Sequence, residues 1–185
     1  MTVPNLLTIL RVLLTPLLVI FLLEDRLSEA LLVFVAAGIT DGLDGLIARL
    51  YKQKTRLGAF LDPLADKLLL ATTYVLLAVQ KLVPSWLSVI VISRDVLIVL
   101  GVFVLFMQDL PFEIRPSLAS KLTTCAQIIT AIVTMATALA SPHPLLKQIL
   151  FHFTAAVTIV SWAQYMVRGI RLMQETGHNQ RNSRK

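Results

Sequence analysis

An all-α integral membrane bundle of six transmembrane helices is the fold class that this 185-residue sequence predicts, on three observations. Hydrophobic residues make up 56% of the chain and charged residues 15%, where a soluble globule carries about 25% charged residues. Six apolar stretches each approach the roughly 20 residues that a bilayer-spanning helix needs. No run alternates apolar and polar residues as a half-buried strand does.

The six stretches cover roughly 5–23, 29–50, 58–80, 84–107, 117–140 and 144–170. Met1 is followed by Pro4-Asn5 with no basic n-region and no small-residue cleavage site, so the first stretch is expected to stay as a membrane helix. Glu24-Asp25-Arg26 ends it. Tyr51 to Arg56 is polar and basic and separates the second and third stretches. Lys81 to Pro84, Gln108 to Pro116 and Ser141-Pro142-His143-Pro144 supply the remaining breaks. Residues 1–174 read as one membrane domain, and Glu175 to Lys185 as a polar, loosely ordered tail on the cytoplasmic side. Cys125 excludes an internal disulfide and is expected to be a small packing residue.

The net charge of +6 belongs with the lipid bilayer and its headgroups, not with nucleic acid. Arg49, Lys52, Lys54, Arg56, Arg115, Lys121 and the basic tail fall on one face of a six-span topology; Arg26, Lys81 and Lys147 fall on the other. The positive-inside rule then puts both termini and the 51–56 loop in the cytoplasm, with the chain multi-pass in the cell (inner) membrane.

Within those apolar stretches lies the spacing D-x2-D-G-x2-A-R-x8-G-x3-D-x3-D: Asp41, Asp44, Gly45, Ala48, Arg49, Gly58, Asp62 and Asp66. A mid-bilayer Asp costs roughly 2.5–3.5 kcal/mol on translocon-type scales. Four unpaired ones would cost about 10 kcal/mol or more, so partners are required. Helical periodicity puts the first five residues on one face, and Gly58, Asp62 and Asp66 on one stripe of the next helix. An antiparallel hairpin turning near 53–54 sets Asp41 opposite Asp66 and Asp44 opposite Asp62. Four carboxylates so placed raise one another's pKa, and two divalent cations relieve this. Mg²⁺ or Mn²⁺ suits hard oxygen ligands, and such a pair can clamp a phosphoryl group. The different-class alternative is a divalent cation transporter that uses the Asp cluster as an ion path.

At these eight positions the chain resembles the CDP-alcohol phosphatidyltransferase family, and every signature position matches. The resemblance implies that Asp41, Asp44, Asp62 and Asp66 hold two metal ions and that Asp66 also acts as the general base. It implies that Gly45, Ala48, Arg49 and Gly58 surround the CDP moiety. The implied reaction is attack by an alcohol hydroxyl on the lipid-bearing phosphate of CDP-diacylglycerol, with release of CMP. A homodimer is implied by the resemblance alone.

The acceptor is read from cations. Pro4 to Arg11 resembles the opening of phosphatidylglycerophosphate synthases and of CMP-forming cardiolipin synthases. Asn5, Thr8 and Arg11 form a polar stripe at i, i+3 spacing, either as acceptor contacts or as interfacial anchors. Arg94, beside Asp95 midway along the fourth stretch, suits an anionic phosphate, or else forms a self-contained pair. Lys121 is a phosphate contact or an interface anchor. An anionic acceptor follows, with sn-glycerol 3-phosphate leading and phosphatidylglycerol as the alternative.

Overall fold

The structure, a computed structural model, describes the backbone of residues 3–51, 56–107, 118–139 and 144–182, and the side chains of 9–42, 67–100, 119–139 and 145–167. Among the described residues the fold is all-helical: α1 Val3–Leu23, α2 Leu27–Tyr51, α3 Arg56–Val79, α4 Ser85–Met107, α5 Leu118–Leu139 and α6 Pro144–Asn182. Each lies within a few residues of an expected stretch, except at the C-terminus. There α6 continues through most of the polar tail that was expected to be loosely ordered. Once a long helix is nucleated, each further residue adds a backbone hydrogen bond at little cost, and Met, Gln, Glu and Arg are good helix formers.

The described residues of α5 and α6 contain two runs long and apolar enough to cross a membrane, Ala119–Leu139 and Leu145–Val167.

Among the described residues the helices close into a ring. α1 packs on α2 and α3, α2 on α5, α5 on α6, α6 on α4, and α4 back on α3, while α3 also touches α5 across the centre. α1 thus lies against both α2 and α3. The residues that the hairpin register sets opposite one another, Asp41 with Asp66 and Asp44 with Asp62, lie outside the described side chains apart from Asp41.

Two turns, one between α1 and α2 and one between α3 and α4, share one geometry. Arg26 N–H donates to Phe21 C=O at 2.9 Å and Asp25 N–H to Leu22 C=O at 3.2 Å, with Asp25 at φ 56°. Leu82 N–H donates to Leu77 C=O at 2.9 Å and Lys81 N–H to Ala78 C=O at 3.0 Å, with Lys81 at φ 59°. Both are Schellman terminations with a left-handed residue just past the helix. The Gln80 amide joins them, donating to Leu22 C=O and, at 3.1 Å, to Asp25 Oδ1.

Large apolar side chains face outward, and polar and charged ones are buried beside an apolar core. Leu13, Leu32, Val79, Val89 and Leu145 are each more than 60% exposed. Inside, beside an apolar cluster that includes Leu22, Phe34, Leu70, Leu87 and Met135, lie Arg11, Arg94, Asp95, Gln127 and several Ser and Thr side chains. Monomeric soluble proteins rarely expose large contiguous apolar patches. Cys125 faces outward and is not packed inside as expected.

Candidate functional site

Asp41, Asp44, Gly45, Ala48 and Arg49 fall in the C-terminal half of α2; Gly58, Asp62 and Asp66 fall in the N-terminal half of α3. These halves flank residues 52–55 in the chain, so the pattern lies on two consecutive helices. Except for Asp41, the side chains of these eight residues, and those of Asn5 and Thr8, lie outside the described residues.

Asp41 is met from an unexpected quarter. Arg11 of α1 sits 2.7 Å away, Nη2 to Oδ1, with its own side chain fully buried while that of Asp41 is 45% exposed. A guanidinium removed from water needs a compensating charge or hydrogen bonds, and Asp41 supplies one. The sequence offered Arg11 as an acceptor contact or an anchor; the structure gives it a carboxylate of the pattern.

Arg94 occupies the opposite side of the ring, on α4, and its side chain is 4% exposed. Its Nη1 donates to Asp95 Oδ1 at 2.6 Å; its Nη2 donates to Ser120 Oγ on α5 at 2.8 Å and to Ser161 Oγ on α6 at 3.1 Å. The Tyr165 ring lies 5.9 Å from the guanidinium carbon. One arginine thus ties three helices together. Its Nε has no hydrogen-bond partner, and the residue lines a groove of about 200 Å³ between α4 and α6, walled by Val89, Ile90, Leu97, Ile159 and Trp162. Lys67, next in sequence to Asp66, donates from Nζ to Asp95 C=O at 3.5 Å. The Arg94–Asp95 pair therefore lies close to the carboxylate-bearing half of α3. Lys121 faces outward. Arg11 and Arg94 thus stand on different helices with different partners.

A feature missed in the sequence runs between α5 and α6. Ser120, Thr123, Gln127, Thr130 and Thr134 recur at alternating spacings of three and four and face Thr154, Thr158 and Ser161. Thr130 and Thr154 share a 2.7 Å hydrogen bond, Thr123 donates to Val157 C=O at 3.2 Å, and Tyr74 of α3 donates to Gln127 C=O at 3.0 Å. The signal was the period of the small hydroxyls, hidden inside runs read only for their hydropathy. Small polar side chains at such positions are how helices adhere where lipid removes the hydrophobic drive.

Metal binding is consistent with the donors present. Carboxylate oxygens are hard ligands suited to Mg²⁺ or Mn²⁺, and all four Asp of the pattern lie on two consecutive helices. Among the described residues no three His, Cys, Asp or Glu side chains group together, because three of these four carboxylates lie outside them.

A CDP-alcohol phosphatidyltransferase family model matches residues 1–161. The chain is 36% identical to the human cardiolipin synthase (CMP-forming), in a match covering 94% of the chain and 63% of that protein. It therefore spans less than two thirds of the length of that relative. It is 28% identical to the Aquifex aeolicus CDP-diacylglycerol–glycerol-3-phosphate 3-phosphatidyltransferase, covering 94% of the chain and 98% of the relative. A probable phosphatidylglycerophosphate synthase of Mycobacterium tuberculosis is 33% identical over 90% of the chain and 81% of its own length. An eight-residue acidic and glycine pattern on two consecutive helices, in a chain matched over most of its length by one family model, places this chain in the CDP-alcohol phosphatidyltransferase family.

Proposed function

We propose that the chain transfers the phosphatidyl group of CDP-diacylglycerol to sn-glycerol 3-phosphate, giving phosphatidylglycerophosphate and CMP. The observation carrying this reading is the complete eight-residue pattern in a chain whose family is generally divalent-metal dependent. Membership of a transferase family weighs against the cation-transporter alternative. The protein lies in the cell membrane as a six-span bundle with its termini and the 51–56 loop in the cytoplasm. Its outward-facing leucines and valines around a polar interior support that placement.

Asp41, Asp44, Asp62 and Asp66 would hold two Mg²⁺ or Mn²⁺ ions, which when bound supply positive charge to the diphosphate and to the departing CMP. Gly45 and Gly58 leave room for the nucleotide's close approach, while Ala48 and Arg49 complete the surroundings of CDP. Asp66 accepts the proton of the acceptor hydroxyl. The hydroxyl oxygen then forms a bond to the phosphorus that bears diacylglycerol, and the bond from that phosphorus to the CMP oxygen breaks. Arg94 receives the acceptor's phosphate from the α4 side, with Asn5, Thr8 and Lys121 as further polar contacts. The active form is a homodimer.

A second reading, with phosphatidylglycerol as acceptor and cardiolipin as product, is favoured by the 36% identity to the human cardiolipin synthase. Glycerol 3-phosphate leads because the Aquifex aeolicus relative named for that acceptor aligns over 98% of its own length. The test supplies purified protein with CDP-diacylglycerol and Mg²⁺, adds glycerol 3-phosphate or phosphatidylglycerol separately, and identifies the lipid formed. Cardiolipin as the sole product selects the second reading, and no CMP with either acceptor removes both.

A further inference from the structure

We infer that Arg11 is a positioning residue for Asp41, fixing that carboxylate for a divalent cation instead of binding the acceptor's phosphate. The inference rests on the phosphatidyltransferase reading, because it takes Asp41 as a metal ligand. Three observations carry it. Arg11 has no exposed side-chain surface, so an incoming acceptor does not reach it without movement of α1. Its Nη2 lies 2.7 Å from Asp41 Oδ1, while 45% of the Asp41 side chain remains exposed. And α1 packs against both α2 and α3, the two helices that carry the carboxylates.

These facts describe a carboxylate gripped from the interior and presented outward. A guanidinium at one oxygen fixes the plane of the carboxylate and so the directions of its remaining lone pairs. Groups that hold metal ligands in this way typically change metal affinity or activity about 10–100-fold when removed. The partners of Arg94, by contrast, are Asp95, Ser120 and Ser161, none of which belongs to the carboxylate pattern. The two buried arginines thus divide the work: Arg11 serves the ions, and Arg94 the acceptor.

The experiment is a Mn²⁺ titration, followed by electron paramagnetic resonance, of the full chain purified in detergent. Wild type is compared with Arg11→Gln, Arg11→Lys, Asp41→Asn and the double variant Arg11→Gln/Asp41→Asn. Arg11→Gln is expected to weaken Mn²⁺ binding about 10–100-fold. Arg11→Lys should recover part of the loss, since it keeps the charge without the planar fork. The double variant should lose less Mn²⁺ affinity than the two single losses combined, because both changes act on the Asp41 carboxylate. The KM for glycerol 3-phosphate at saturating Mn²⁺ should stay at the wild-type value. Wild-type Mn²⁺ affinity in Arg11→Gln overturns the inference, whether the variant loses only thermal stability, as a purely structural ion pair predicts, or gains only a higher acceptor KM. If Arg11→Gln fails to fold, Arg11→Lys decides, and wild-type affinity there overturns the inference equally. Failure of the wild-type protein to bind Mn²⁺ brings down the metal reading itself, an outcome distinct from normal wild-type binding that ignores Arg11.

Discussion

Asp66 is assigned two duties, metal ligand and proton acceptor, and a single substitution separates them. Asp66→Asn keeps one oxygen donor but loses the basic carboxylate, so turnover should vanish while part of the Mn²⁺ affinity survives; Asp44→Asn should lose more of that affinity. Equal losses in the two variants, measured by the same titration, would contradict separate duties. Arg94 carries a different expectation. Arg94→Ala should raise the acceptor KM more than the KM for CDP-diacylglycerol, and an unchanged acceptor KM would remove Arg94 from that pocket. The same variant strands the Asp95 carboxylate, whose side chain is only 9% exposed, without its cation. Breaking a buried pair in this way costs about 3–5 kcal/mol, so a lower thermal midpoint should accompany the kinetic change. At this scale the eight-residue pattern was legible because its spacing is local in the chain. The Arg11–Asp41 pair was not, because it joins residues of two different helices and only the docking of α1 on α2 brings them together.

Among the elements, the seam between α5 and α6 offers the clearest test. A double-mutant cycle of Thr130→Val and Thr154→Val should give a coupling of about 0.6 kcal/mol, and no more than about 1.7, as for other hydroxyl contacts between membrane helices. A coupling of zero, measured by unfolding in mixed micelles, would mean that the 2.7 Å contact contributes packing alone. Helix positions were legible from hydropathy and from the charged or proline-bearing breaks. The Schellman turns at Asp25 and Lys81 were not, because neither position is the glycine that usually marks a left-handed residue. The extension of α6 through Asn182 was missed for another reason: polarity was taken as a sign of loose order, whereas a helix already begun tolerates polar residues.

For the whole molecule, the ring order was the least legible property. Short connections usually join spatial neighbours, which made α2 and α3 expected partners at the carboxylate positions. In the described residues α1 lies against both, and no count of loop lengths foretells that docking. The topology has its own test. In a Cys125→Ser background, Lys54→Cys should react with a membrane-impermeant thiol reagent only in inverted vesicles. Lys81→Cys should react only in right-side-out ones, and the opposite pattern would invert the proposed orientation.

The hydroxyls of this fold often bond back to the carbonyl one turn earlier in their own helix: Thr73 to Leu69, Thr123 to Ala119, Thr137 to Val133 and Thr158 to Thr154. Each such side chain brings its partner with it. A newly synthesised span can therefore leave the translocation machinery and rest alone in hydrocarbon without a stranded donor. Cohesion with its neighbour, when that segment arrives, then requires only a turn of the hydroxyl.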